Sequence, residues 1–233
     1  MAGMENKLIG IGLYTPADAS RLSGIPAAKL TRWLRGYTVK DREHPRLWTS
    51  QIDLGDDRTY LGFRDLMEAR VANKFIELGI SPQRIRKAIA LAQEMIGEQR
   101  PLSTNKFRTD GRTIFLRTTD NNDDGEERAQ LLDLFKSQYS LTSILDPLLK
   151  DVEMDDMGLP AQWWPRGRTK KILIDPQRAF GQPIDEESNV PTAILAEAAK
   201  YHGIDAAARD YEIPRSAIRR AVEFEGVELK TAA

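Results

Sequence analysis

Lys29, Thr31, Arg32 and Arg35 share one stretch, AAKLTRWLRG, in which Leu30, Trp33 and Leu34 take the complementary helical positions. A helix with that spacing buries the apolar trio and turns a cationic strip outward. Cations on a rigid element suit phosphate oxygens, and Arg or Thr among them can reach base edges. Arg32 and Thr31 are the candidates for base edges, and Lys29, Arg35, Lys40, Arg42 and Arg46 for phosphates. A second strip of candidates for DNA contact, Arg215, Ser216, Arg219 and Arg220, follows Pro214, with Glu223, Glu225 and Glu228 diluting its field. Other chemistry finds little material. Cys is absent, and His44 and His202 are the two histidines, 158 positions apart. Thiol catalysis, disulfides and Cys-based zinc sites are thereby excluded. The run DNNDDG at 120–125 matches the first half of a calcium loop, but its twelfth position is Leu131 instead of the bidentate Glu. Gly10-x-Gly12 is followed by Thr15 where a dinucleotide loop needs its third glycine. No catalytic residue, cofactor or metal is expected, and the chain reads as a binding protein, not an enzyme.

The elements that must position these strips are legible from caps and breaks. Thr15 caps a short helix opened by Pro16, with Ala19 and Leu22 on its apolar face, and is a further candidate for DNA contact. Ser23-Gly24 breaks that helix, and Pro26 opens the next. Helix, tight turn and helix with a basic outer face is the order of a helix-turn-helix. Extended pieces near Leu47–Thr49 and Thr59–Leu61 are expected to form its wing. FRDLMEARVANKFIELG and SPQRIRKAIALAQEMIGEQ follow as helices, the second started by Ser81-Pro82 and carrying Arg84, Arg86 and Lys87 on its outer face. KFRTDGRTIFLRT places Asp110-Gly111 between two β-rich runs, the pattern of a hairpin. RAQLLDLFKSQY and LTSILDPLLKDVE are amphipathic, and Trp163-Trp164 is expected to pack against a neighbour. Beyond ILIDPQRAFGQPI, a strand with turns, come a helix opened by Pro191, one capped by Asp205, and a last one opened by Pro214. The expectation is a mainly α chain with small β elements. It has a winged helix-turn-helix at 1–100, a hairpin-and-helix connector at 101–165, and a helical, helix-turn-helix-like domain at 166–233.

The net charge of −1 conceals segregation. Residues 1–50 hold eight Lys/Arg against four Asp/Glu, 81–117 eight against three, and 118–160 three against eleven. Basic blocks suit phosphates, and acidic blocks suit basic proteins or stay solvated. No run approaches the roughly 18 apolar residues of a membrane span, and MAGMENKLIG lacks a signal core, so a cytoplasmic location is expected with no membrane partner.

Two resemblances add to this. Tyr14-Thr15-Pro16, Ala19, Leu22, Ser23-Gly24-Ile25, Leu30 and Trp33, followed by LGFRDLMEARVANKFIELGISPQRIRKAI, resemble the winged helix-turn-helix of MerR-type regulators over residues 12–97. That resemblance implies that the second helix enters the major groove and the wing lies on the backbone. ILIDPQRAFGQPI, Val190-Pro191-Thr192 and DYEIPRSAIRRAVEFE resemble a prokaryotic domain found as the antitoxin partner of PIN-like toxins. Together they resemble a large VapB-type antitoxin. The implied function is operator binding with autorepression, as a homodimer, and neutralisation of a PIN-like ribonuclease. Lys106, Arg108 and Arg112, and the tract Arg166, Arg168, Lys170 and Lys171, are the candidates for meeting such a toxin's acidic active site. The rival reading is a stand-alone MerR-type regulator whose C-terminal module senses a ligand near Trp163, Trp164 and Phe180. Helices around Leu131–Phe135 or Leu141–Leu149 are expected to supply the dimer surface.

Overall fold

The computed structural model describes residues 10–118, 125–135 and 138–229, so the calcium-loop-like run lies outside the described residues except for Gly125. The chain is mainly helical with small antiparallel sheets and divides into two compact units. One spans 13–161, and the other joins 10–12 to 162–229. Among the described residues, no helix is long and apolar enough to cross a membrane.

The first unit opens with α1 (Pro16–Ser23), whose Thr15 cap accepts from the Asp18 amide while Asp18 reaches back to the Thr15 amide. This reciprocal box satisfies two amides that a helix start leaves without partners. Gly24 ends α1 in the left-handed region, and α2 (Ala27–Arg35) follows with Leu30, Trp33 and Leu34 buried as its spacing requires. The strand pair after α2 is not where the sequence placed it. Its strands are β1 (Tyr37–Val39) and β2 (Arg42–His44), paired Tyr37↔His44 to Val39↔Arg42 around the two-residue turn Lys40-Asp41. Both turn residues have positive φ, 46° and 60°, the backbone of a twist-matched hairpin turn. Leu61 pairs singly with Tyr14, and Leu47 and Trp48 are buried irregular backbone. That segment is held by a single carboxylate. Asp65 accepts from Trp48 Nε1 (3.1 Å), the Gln51 amide (2.8 Å), the Gly62 amide (3.0 Å) and Arg100 Nε (2.7 Å).

Helices α3 (Phe63–Glu77) and α4 (Pro82–Ile96) form as expected, α4 with Ser81 accepting from the Arg84 amide. Arg84 is a correction: it is buried instead of outward, and its guanidinium donates to the Thr118 carbonyl. The stretch expected as a β-hairpin is helix α5 (Asn105–Arg117). Thr104 caps it, and Phe107, Gly111, Ile114 and Phe115 share one buried face at helical spacing. Gly111 is there for close approach: a Cβ would lie 2.9 Å from Leu141 Cδ2 and 3.0 Å from the Phe107 ring. Helices α6 (Gly125–Leu134) and α7 (Gln138–Leu149) complete the packing. Phe115 stacks on Phe135 at 4.8 Å and meets Phe75 edge-on at 4.9 Å. In the segments expected to supply a dimer surface, Leu131, Phe135, Leu141, Leu145 and Leu149 are buried inside this unit, and Leu132 is exposed. Strands β3 (Val152–Met154) and β4 (Pro160–Trp163) pair as the chain leaves it.

In the second unit Trp163 and Ile174 exchange backbone hydrogen bonds (2.9 and 2.8 Å). Strands β5 (Ile172–Leu173) and β6 (Ile184–Asp185) pair antiparallel, and Trp164 packs with Leu173 and Ile184. Helices α8 (Thr192–His202), α9 (Ile204–Asp210) and α10 (Arg215–Glu225) then close on Leu195, Ala199, Ala207, Ala208, Ile218 and Ala221. Asp205 does not cap α9. Gly203 both ends α8 and starts α9, at φ 82° and ψ 162°, leaving Asp205 in the first turn, where it pairs with Arg215.

Candidate nucleic-acid interface

Helix α2 is positioned by its buried face, and the hairpin by the turn that follows it. Gly36 ends the helix, and the Leu47 amide returns to the Trp33 carbonyl (2.7 Å), fixing the hairpin base beside α2. Arg32 is exposed, with its guanidinium 5.7 Å from the Tyr37 ring, and Tyr37 stacks on His44 at 4.5 Å and 7°. Lys29 donates to Asn73 Oδ1 (2.8 Å) and lies 5.1 Å from the Trp33 ring. Arg35 donates to the Asp57 carbonyl, and the Thr31 hydroxyl to the Ala27 carbonyl (3.0 Å). Thr15 is occupied as the α1 cap, its hydroxyl donating to Asp18 (2.6 Å). Lys40, Arg42 and Arg46 are exposed on and just beyond the hairpin. Among the described residues, no carboxylate pairs with Arg32, Lys40, Arg42 or Arg46.

A cleft of about 670 Å³ opens between α2, the hairpin and the start of α4. Its charged lining residues include Lys29, Arg32 and Arg86, and Trp33, Tyr37, His44, Pro45 and Leu47 supply much of the rest. Arg86 is the functional candidate that motif reasoning passed over. It donates to the Arg46 (2.9 Å) and Pro45 (2.6 Å) carbonyls, tying α4 to the segment after the hairpin. Its only signal in the sequence is its place one turn after Ser81-Pro82.

The second basic strip is different. Arg220 is bound by buried Asp185 (2.6 Å) and by Glu187 (2.6 Å). Burial works against its charge, but those hydrogen bonds outweigh that and raise its pKa. Arg215 pairs with Asp205 (2.9 Å), while Ser216 and Arg219 are exposed. Lys170 pairs with Glu223 (3.0 Å), Lys171 with Glu187, and Arg168 lies 3.8 Å over the Trp164 ring. Arg166, Lys170 and Arg220 border a smaller cavity of about 300 Å³ that also contains Glu223. On α5, Lys106 is exposed, Arg108 pairs with Asp146, and Arg112 donates to the Phe135 carbonyl (2.6 Å). Trp163 and Trp164 are buried and Phe180 is 60% exposed.

No protein-family model matches the chain. It is 26% identical over 224 residues to a Mycobacterium tuberculosis (strain ATCC 25618 / H37Rv) protein named "Putative antitoxin VapB45", covering 91% of this chain and 93% of that one. The crystal structure of Rv2018 from Mycobacterium tuberculosis shares the fold, with a TM-score of 0.62 at 22% identity over 92% of this chain and 99% of that chain.

Proposed function

We propose that this chain is a cytoplasmic DNA-binding antitoxin. Its N-terminal winged helix-turn-helix binds operator DNA as a homodimer, and the remainder of the chain captures a PIN-like ribonuclease toxin. The observation that carries this is the similarity, over 91% of this chain, to the protein named "Putative antitoxin VapB45". The distribution of charge supports the DNA part. Cations without carboxylate partners gather on α2 and the hairpin, whereas Lys170, Lys171, Arg178, Arg215 and Arg220 in the C-terminal unit have acidic partners. Phosphate binding needs charge that no internal carboxylate neutralises. Arg32 and Thr31 face base edges, and Lys29, Arg35, Lys40, Arg42 and Arg46 the backbone. Dimerisation follows from the few base pairs that one recognition helix reads.

The test is co-expression of the full chain with the product of an adjacent PIN-like reading frame. Co-purification, loss of the partner's ribonuclease activity and a shifted promoter fragment are expected. Promoter binding with no captured partner would make the chain a stand-alone regulator. Unabated ribonuclease activity in the presence of soluble, folded chain would end the antitoxin reading.

A further inference from the structure

The cleft between α2, the hairpin and α4 has properties that a flat phosphate-contacting surface does not require. Its volume, about 670 Å³, lies in the range of small-ligand pockets. Three of its lining residues, Lys29, Arg32 and Arg86, are cationic, and none of the lining residues carries a carboxylate. Pro26, Ala28, Leu47, Pro82 and the Trp33 indole give it an apolar wall. Trp33 itself is 6% exposed, so the wall belongs to the core and does not move aside. Arg86 fixes the opposite rim through the Pro45 and Arg46 carbonyls. A cationic rim on an apolar, aromatic wall fits a ligand that is an anion at one end and a flat, weakly polar ring at the other.

We propose that this cleft binds a single nucleotide, with its phosphate between Lys29, Arg32 and Arg86 and its base against the apolar wall. The inference builds on the operator reading, in which α2 faces DNA, and adds an occupant for the cleft itself. The same chemistry has two sources: a nucleotide of a bound DNA strand, or a free nucleoside monophosphate. Arg86 acts in either case as a ligand-contacting residue and as the clamp that keeps the cleft open.

The experiment titrates the full chain with adenosine 5′-monophosphate, adenosine, inorganic phosphate and a duplex, each alone and the duplex again in competition with the monophosphate. Saturable binding of the monophosphate at least about tenfold tighter than both adenosine and phosphate is expected. Arg32→Gln, on an exposed helix face, should weaken it by about tenfold with an unchanged melting midpoint, and Arg86→Gln should do so with Arg86→Lys partly restoring it. Displacement of the duplex by the monophosphate assigns the cleft to a DNA strand's nucleotide. Simultaneous binding of both assigns it to the free nucleotide. Duplex binding without monophosphate binding overturns this inference and leaves the operator reading standing. Monophosphate binding without duplex binding does the reverse. Equal affinity for monophosphate and inorganic phosphate overturns the base-binding wall, and with it the proposal.

Discussion

Glu68 lies fully buried on α3, its oxygens accepting from the Leu102 and Ser103 amides at 3.2 Å. Burial pushes its pKa from 4.5 up to about 8, against the opposing pull of those amides. The folded chain therefore keeps a proton that the unfolded chain releases across that interval, so Glu68 makes stability fall as pH rises from about 4.5 to about 8. Denaturation midpoints measured across the window should show this decline, and Glu68→Gln, neutral at every pH, should flatten it. Equal slopes in both proteins would assign the decline to another group. Gly111 supplies a second test at this scale. Its replacement by Ala gains about 1 kcal/mol of helix propensity but forces a methyl to within 3.0 Å of Leu141 and Phe107. An overpacking cost of about 1–3 kcal/mol should outweigh that gain, with a net loss of up to about 2 kcal/mol in urea unfolding.

Helix ends were the legible part of the sequence because capping is local. Thr15-Pro16, Ser81-Pro82 and Pro214 each start a helix in the structure within a residue of their expected place. Thr15→Ala removes the side-chain half of the α1 box, leaving the residue-15 amide on Asp18, and should cost about 1 kcal/mol by thermal melting. The β elements were poorly legible. Strands β1 and β2 are three residues each and β1 is exposed throughout, so no apolar alternation announced them. Asp110-Gly111 misled for the opposite reason: its glycine serves tertiary packing, which sequence spacing does not show. The cationic strips were visible as composition, but their partners were not, since Arg220 meets Asp185 35 residues away. The hairpin turn offers an element-scale prediction. Lys40 and Asp41 hold positive φ without glycine, so Lys40→Asn with Asp41→Gly should stabilise the hairpin by about 0.5–1 kcal/mol. Slower amide exchange across 37–44 would report it, and unchanged exchange would count against the turn assignment.

Across the whole molecule, charge separates the two helix-turn-helix orders. Residues 204–226 carry four Lys/Arg and five Asp/Glu, a net of −1, whereas 26–46 carry six Lys/Arg and two Asp/Glu, a net of +4. If binding to duplex DNA follows that difference, Arg32→Ala should cost about 1–3 kcal/mol at the preferred site. The pair Arg215→Ala and Arg219→Ala should leave affinity unchanged. Wild-type affinity should fall steeply with salt as counterions are released, and a flat salt profile would remove phosphate contact as the source of binding. Equal losses from the two sets of variants would show that both units reach the duplex.

Gly203 joins α8 to α9 with no residue to spare. Its φ and ψ lie where only glycine is at ease, and a Cβ there would meet no atom within 4 Å. Sequence drift at this point is thus limited by the backbone alone. A library randomised at 203 and sorted for folded protein should return glycine although every side chain would have room. Length is as restricted as identity: one inserted residue would turn α9 by about 100° and carry Ala207 and Ala208 out of the core. Lineages of this chain should vary freely in the surface loops while keeping both the glycine and the residue count between these two helices.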